Sequence, residues 1–231
     1  MASLHNQPTL IVGAGAGLSA SLARALAKEG ARVALAARSV DDLDALRRET
    51  GAVPFACDAS RRAEVEKLFA EVEAACGAPE IVIYNASYRT RGPFVDLDPT
   101  EVERSIAVSA FGAFLVAQQA VRRMLPKQRG AILFTGASAS VKGYAQSAPF
   151  AMGKFALRGL AQSMARELGP QGIHVAHVVI DGGIKSARRA ESTPASLLDP
   201  DAIAQSYLHL IHQPRSTWSW EIELRPWVEK F

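Results

Sequence analysis

Cysteine, net charge and long hydrophobic runs are all scarce in this chain, and each scarcity closes off a class of function. Its two cysteines, Cys57 and Cys76, offer neither a metal-ligand spacing nor a disulfide framework, so no metal site is expected and a reducing cytoplasm is the simplest home. A formal charge of +3, with arginines scattered along the sequence, is too weak a field to argue for nucleic acid or a membrane surface. The first residues, Met1 to Pro8, have no basic n-region and no apolar h-region, so no export signal is expected. The longest apolar stretch, Ile106 to Ala117, is short for a bilayer and is broken by Ser109 and Gly112. A small-molecule substrate is the partner these absences leave.

What is present is an ordinary globular composition, 48% hydrophobic and 21% charged, in 231 residues. That length suits one well-buried domain over 1–231. Short apolar runs alternate with longer periodic segments, the pattern of βα units around a parallel sheet. Strands are expected near 9–13, 32–37, 53–57, 80–84, 130–135, 173–180 and 217–224, and helices near 17–29, 40–49, 60–76, 99–126, 149–169 and 200–212. The expected fold is therefore α/β, a doubly wound, mostly parallel seven-stranded sheet with helices on both faces. Asp41, Ser60 and Thr100 read as helix caps, and Gly30, Gly77 and Gly169 as stops. The last strand alternates Trp218, Trp220, Ile222 and Leu224 with Glu221 and Glu223, which reads as an edge strand with one wet side. The polar stretch 185–200 lacks a period and reads as a substrate lid.

The stretch from Thr9 to Ala20 carries the strongest functional signal. A buried strand runs into Gly13-Ala14-Gly15-Ala16-Gly17 and then a helix opening at Leu18, which suits a pyrophosphate approached by glycine backbone and met by free N–H groups at the helix start. The spacing is the looser G-x-x-x-G-x-G type, with Gly13 and Gly17 in place and Ser19 where the third glycine would stand. At the end of the second strand, Ala36-Ala37-Arg38 has no acid to bind a ribose 2′-hydroxyl, whereas Arg38 can pair with a 2′-phosphate. NADP is favoured over NAD on that ground.

Together these residues resemble the short-chain dehydrogenase/reductase family over nearly the whole chain. Cys57-Asp58-Ala59 looks like the family's acidic stretch beside the adenine, which implies cofactor contacts for Asp58 and Ala59. Tyr84-Asn85-Ala86-Ser87 is similar to its Asn-Ala-Gly turn and implies the same for Asn85 and Ala86. The resemblance also implies a cofactor contact at Ile184, although the family's Pro-Gly is here Asp181-Gly182-Gly183.

The departures concern the chemistry. The family's Tyr-x-x-x-Lys matches Phe150-Ala151-Met152-Gly153-Lys154, so the lysine is kept and the phenol is not. The resemblance implies that Lys154 holds the nicotinamide ribose, but a phenyl ring has no exchangeable proton. Phe150 reads either as a core aromatic or as a hydrophobic wall for substrate. The catalytic serine falls at Ser138 or one place away at Ala137, and the helical asparagine at Ser109. Tyr88 or Tyr144 could donate a proton if its loop folded inward. His174 and His177, three apart on a strand, point to opposite faces and read as structural. Three functions stay open: an NADP(H) oxidoreductase on a small carbonyl or alcohol by an atypical proton route, a catalytically silent dinucleotide-binding protein, or reduction of a polarised C=C bond. The apolar surface of helices 99–126 and 149–169, including Ala110, Phe111, Phe114 and Leu115, leads to an expected homodimer or homotetramer.

Overall fold

The computed structural model describes residues 4–186, 189 and 195–229. Seven strands form one sheet, all paired in parallel, in the order β3-β2-β1-β4-β5-β6-β7. They are β1 (Pro8–Val12), β2 (Arg32–Ala37), β3 (Val53–Ala56), β4 (Ile81–Tyr84), β5 (Gly130–Thr135), β6 (Ile173–Ile180) and β7 (Glu221–Leu224). Every residue of β4 and β6 is buried, as strands covered on both faces require. The helices are α1 (Leu18–Lys28), α2 (Asp44–Thr50), α3 (Arg62–Cys76), α4 (Pro99–Ile106), α5 (Gly112–Met124), α6 (Ala148–Leu168) and α7 (Pro200–His212). One core cluster joins Val12, Phe69, Tyr84, Phe134 and Leu157, and another joins Ile11, Leu22, Leu35, Val178 and Tyr207. Alternate residues of the inner strands thus feed cores on opposite faces, one beneath α3, α5 and α6 and the other beneath α1, α2 and α7. The strand order reverses between β1 and β4, where the diverging connections leave a crevice at the carboxyl ends.

Several local expectations are corrected. The helix expected over 99–126 is α4 and α5 joined through a π-helical segment, Ala107–Phe111. The Tyr84 hydroxyl donates to the Val108 carbonyl inside that segment, and Gly112 passes so close to β4 that a Cβ there would lie 2.6 Å from the same hydroxyl oxygen. With its flanks, this rod over 99–127 is long and apolar enough to cross a membrane by length and composition, unlike its apolar centre alone. Half of its most apolar window is buried inside the protein. The helix expected over 40–49 begins with a 3-10 turn at Asp41–Leu43. The cap of α4 is Asp98, accepting from the Thr100 N–H, rather than Thr100. That of α3 is Arg61, because Ser60 is taken up by Asp58.

The last strand starts at Glu221, leaving Trp218 and Trp220 before it. Its charged side is wet only in part: Glu223 is exposed, whereas Glu221 is gripped by two Arg158 nitrogens at 2.6 and 2.7 Å and meets the buried His177 Nδ1 at 3.0 Å. His174 lies on the other face, stacked on Trp218. Of the expected lid, residues 187–188 and 190–194 lie outside the described residues, and Ile184 bridges to Leu198 at its base.

Candidate active site

The glycine loop leaves β1 in a conformation only glycine adopts easily. Gly13 has φ +88, and a Cβ there would sit 2.3 Å from the Ala86 nitrogen, so this glycine lets β1 and the turn after β4 close on each other. Gly15 and Gly17 differ, because a Cβ at either would meet nothing within 4 Å. They border open space at the start of α1, whose N-terminus has no side-chain cap. Ser19 latches the loop: its hydroxyl donates to the Gly13 carbonyl at 2.8 Å and accepts from Asn85 Nδ2 at 2.7 Å. A serine therefore does by hydrogen bonding what a third glycine would do by absence.

Two adjoining cavities open at the carboxyl ends. The first, about 560 Å³, is lined by Gly13, Arg38, Asp58, Ala59, Asn85 and Ala86. Burial works to raise the Asp58 pKa. Two hydrogen bonds from Ser60 and the nearby charges of Arg38 and Arg61 outweigh it, so the carboxyl is held below its ordinary value. The second cavity, about 400 Å³, is lined by Gly17, Leu18, Ser138, Phe150, Lys154 and Ile184, with Asn85 shared. The residues singled out in the sequence thus converge on one continuous crevice, with Gly15 on the loop at its edge.

Lys154 is 2% exposed. Its Nζ donates to the Thr135 carbonyl at 2.8 Å, and burial brings its pKa down to about 8. Thr135 is held in turn by its hydroxyl, 2.7 Å from that of the buried Tyr207. Phe150, one helical turn before Lys154, places its ring centroid 5.8 Å from Nζ. It belongs both to the buried set and to the cavity wall, so the two readings of this residue meet.

Neither stand-in tyrosine lines the cavity that holds Lys154, although Tyr88 lines the first one. Tyr88 bonds Glu101 through its hydroxyl and lies under the Arg104 guanidinium, while Tyr144 is exposed. Ser109 sits buried in the π-helical segment, accepting from the Tyr88 N–H and packed against Gly153, and is not among the cavity's lining residues. Asp181, in the place of the expected proline, is buried and paired with Lys142 at 3.2 Å and Arg225 at 3.0 Å, tying together the loops after β5, β6 and β7.

Sequence reasoning missed Arg89. Its guanidinium lies 4.5 Å from the Phe150 ring centroid, and its pKa is lowered by burial and by the charges of Arg91 and Arg189. The fold brings Arg189 close to Arg89, and both line this cavity. The available signal was Arg89 and Arg91 directly after the β4 turn, at the carboxyl end of the sheet.

A family pattern described as short chain dehydrogenase matches residues 7–196. An uncharacterized oxidoreductase of Staphylococcus aureus (strain N315) is 27% identical over 233 residues, covering 98% of this chain and 100% of that protein. The crystal structure of a short-chain dehydrogenase from Rhodopseudomonas palustris is 32% identical with a TM-score of 0.84, covering 96% of this chain and 100% of the other. A metagenomic short-chain oxidoreductase in complex with NADP is 30% identical with a TM-score of 0.85, covering 97% and 99%.

Proposed function

The chain belongs to the short-chain dehydrogenase family, and from that premise we propose that it is an NADP(H)-dependent oxidoreductase acting on a small carbonyl or alcohol by an atypical proton route. The carrying observation is Lys154. A lysine this buried, donating to the Thr135 carbonyl and meeting no carboxylate among the described residues, is costly to the fold, and it stands in a cavity continuous with an open glycine loop.

The residues fit a dinucleotide. The N-terminus of α1 and the open space at Gly15 and Gly17 suit a pyrophosphate. Asp58, Ala59, Asn85 and Ala86 line the part of the crevice that suits the adenosine half, Arg38 suits a 2′-phosphate, and Ile184 and Lys154 suit the nicotinamide half. When bound, the nicotinamide would supply or accept the hydride. Phe150 stands where the family has its phenol, so the proton on the substrate oxygen is exchanged with Lys154 Nζ, whose pKa near 8 suits both directions close to neutrality. Ser138 donates a hydrogen bond to that oxygen.

NADPH is expected to bind more tightly than NADH by about 1 to 3 kcal/mol, the worth of a charge-assisted hydrogen bond. Arg38→Asp should shrink or reverse the gap in a fluorescence titration. Equal affinities in the native protein would defeat the cofactor assignment. A second reading, a cofactor-binding protein without turnover, is favoured by Phe150 alone. A screen of small ketones, alcohols and activated alkenes, followed by absorbance of reduced nicotinamide, separates it from the first.

A further inference from the structure

Among the described residues, the second cavity is lined by four cations, Arg89, Lys154, Lys185 and Arg189, and by no aspartate or glutamate. A dinucleotide's pyrophosphate accounts for negative charge at the glycine loop, on the α1 side. Arg89 comes from the opposite wall, on the segment after β4, and its guanidinium packs on the Phe150 ring where the family's phenol would point. The charges acting on it are those of other arginines, Arg91 and Arg189. Arg89 is an exposed residue, and the like charges gathered around it favour an anion over a neutral ligand at this place. A guanidinium lying over a ring keeps its N–H edge free, which suits a planar acceptor that takes two parallel hydrogen bonds.

We infer that the substrate of this site carries a carboxylate, held by Arg89 against the Phe150 ring, with Arg189 adding charge from the segment after β6. The inference rests on the proposed oxidoreductase reading and narrows its substrate to an oxo acid or hydroxy acid. Arg89 would hold the carboxylate, leaving the reacting oxygen to Ser138 and Lys154. Loss of the phenol then goes together with a new anchor: the aromatic ring is kept as the platform on which the anchor lies.

The test uses benzoate and benzamide, planar probes of similar shape that differ in charge, titrated calorimetrically onto the protein saturated with NADP+. Benzoate is expected to bind at least about tenfold more tightly than benzamide, the worth of one charge-assisted bond. Arg89→Gln should bring the two to parity while leaving NADP+ affinity unchanged and without lowering the melting temperature. Arg89→Lys should keep only part of the preference, because an ammonium cannot make the paired contact. Equal binding of the two probes, or a preference that survives in Arg89→Gln, overturns the inference. So does a preference seen in the free protein that vanishes on saturation with NADP+, since benzoate would then be using the pyrophosphate position. A stronger preference for phenyl phosphate overturns the carboxylate in favour of a phosphate ester. Failure of NADP+ to bind would count against the cofactor reading instead, and the Arg89 dependence of benzoate binding to the protein alone would still decide this one.

Discussion

The consequences of one missing oxygen can be measured at Phe150. If the proton travels from Lys154, ketone turnover should lack the roughly 10²- to 10⁴-fold that a positioned phenol contributes, and Phe150→Tyr should recover part of it on simple ketones. The new hydroxyl would enter the cavity that Phe150 lines, so little stability is lost. An unchanged kcat/KM would show that position 150 is not where the proton is needed. Lys154 makes a separate prediction through pH. Its pKa is about 8 in the folded protein against an ordinary 10.5, so reduction, which needs the protonated amine, should fall as pH rises through about 8. Stability runs the other way. Between those two values the unfolded chain holds more protons, so stability rises with pH across that window, and the burial penalty is complete below it. Lys154→Met should therefore raise stability near neutrality by about 1 to 3 kcal/mol while abolishing turnover, and the gap in urea unfolding should close above about pH 10.5. A variant less stable than the native protein at neutral pH would mean that the Thr135 contact outweighs the desolvation.

Periodicity and glycine placement carry the elements well, and close packing between them is where sequence stops speaking. The seven strands and the glycine loop were legible because each rests on local spacing, and the pairing of Phe150 with Lys154 because the resemblance to the family's Tyr-x-x-x-Lys implied it. The π-helical segment was not. It depends on Tyr84, 24 residues before the carbonyl it binds, and on Gly112, which must admit that hydroxyl. Arg89 was hidden for the same reason: its partner Phe150 lies 61 positions away along the chain, and only the fold brings them together. The wide turn leaves the Val108 carbonyl to be satisfied from outside the helix. Tyr84→Phe should thus leave a buried acceptor unpaired and cost about 1 to 3 kcal/mol, read as a lower melting temperature. The same substitution should also disturb the site, since the Tyr88 N–H donates to Ser109 in this segment and Arg89 follows directly. If Tyr84→Phe melts at the native temperature, the hydroxyl is not what holds the segment open.

At the scale of the whole molecule, the surface of the α4–α5 rod and α6 calls for a partner. The sequence pointed to Ala110, Phe111, Phe114 and Leu115, but these divide: Ala110 and Leu115 are buried within the chain, while Phe111 is 50% exposed and Phe114 42%. On the adjacent α6, Met152 is 50% exposed and Phe155 45%. Single exposed apolar residues are common on any surface, but four large ones on two helices packed side by side form a patch that water covers poorly. We propose that this face pairs with its counterpart on a second copy, giving a homodimer or a homotetramer. A stable contact of that kind buries roughly 800 Å² per partner. Light scattering at micromolar concentration should accordingly return a mass above the 24.7 kDa of one chain. Phe114→Glu with Phe155→Glu places like charges on both sides of a twofold contact and should return the monomer. Both side chains are already partly in water, so secondary structure should survive the change. Association unaffected by the double substitution would place the interface elsewhere, and a native particle of one chain would remove the proposal altogether.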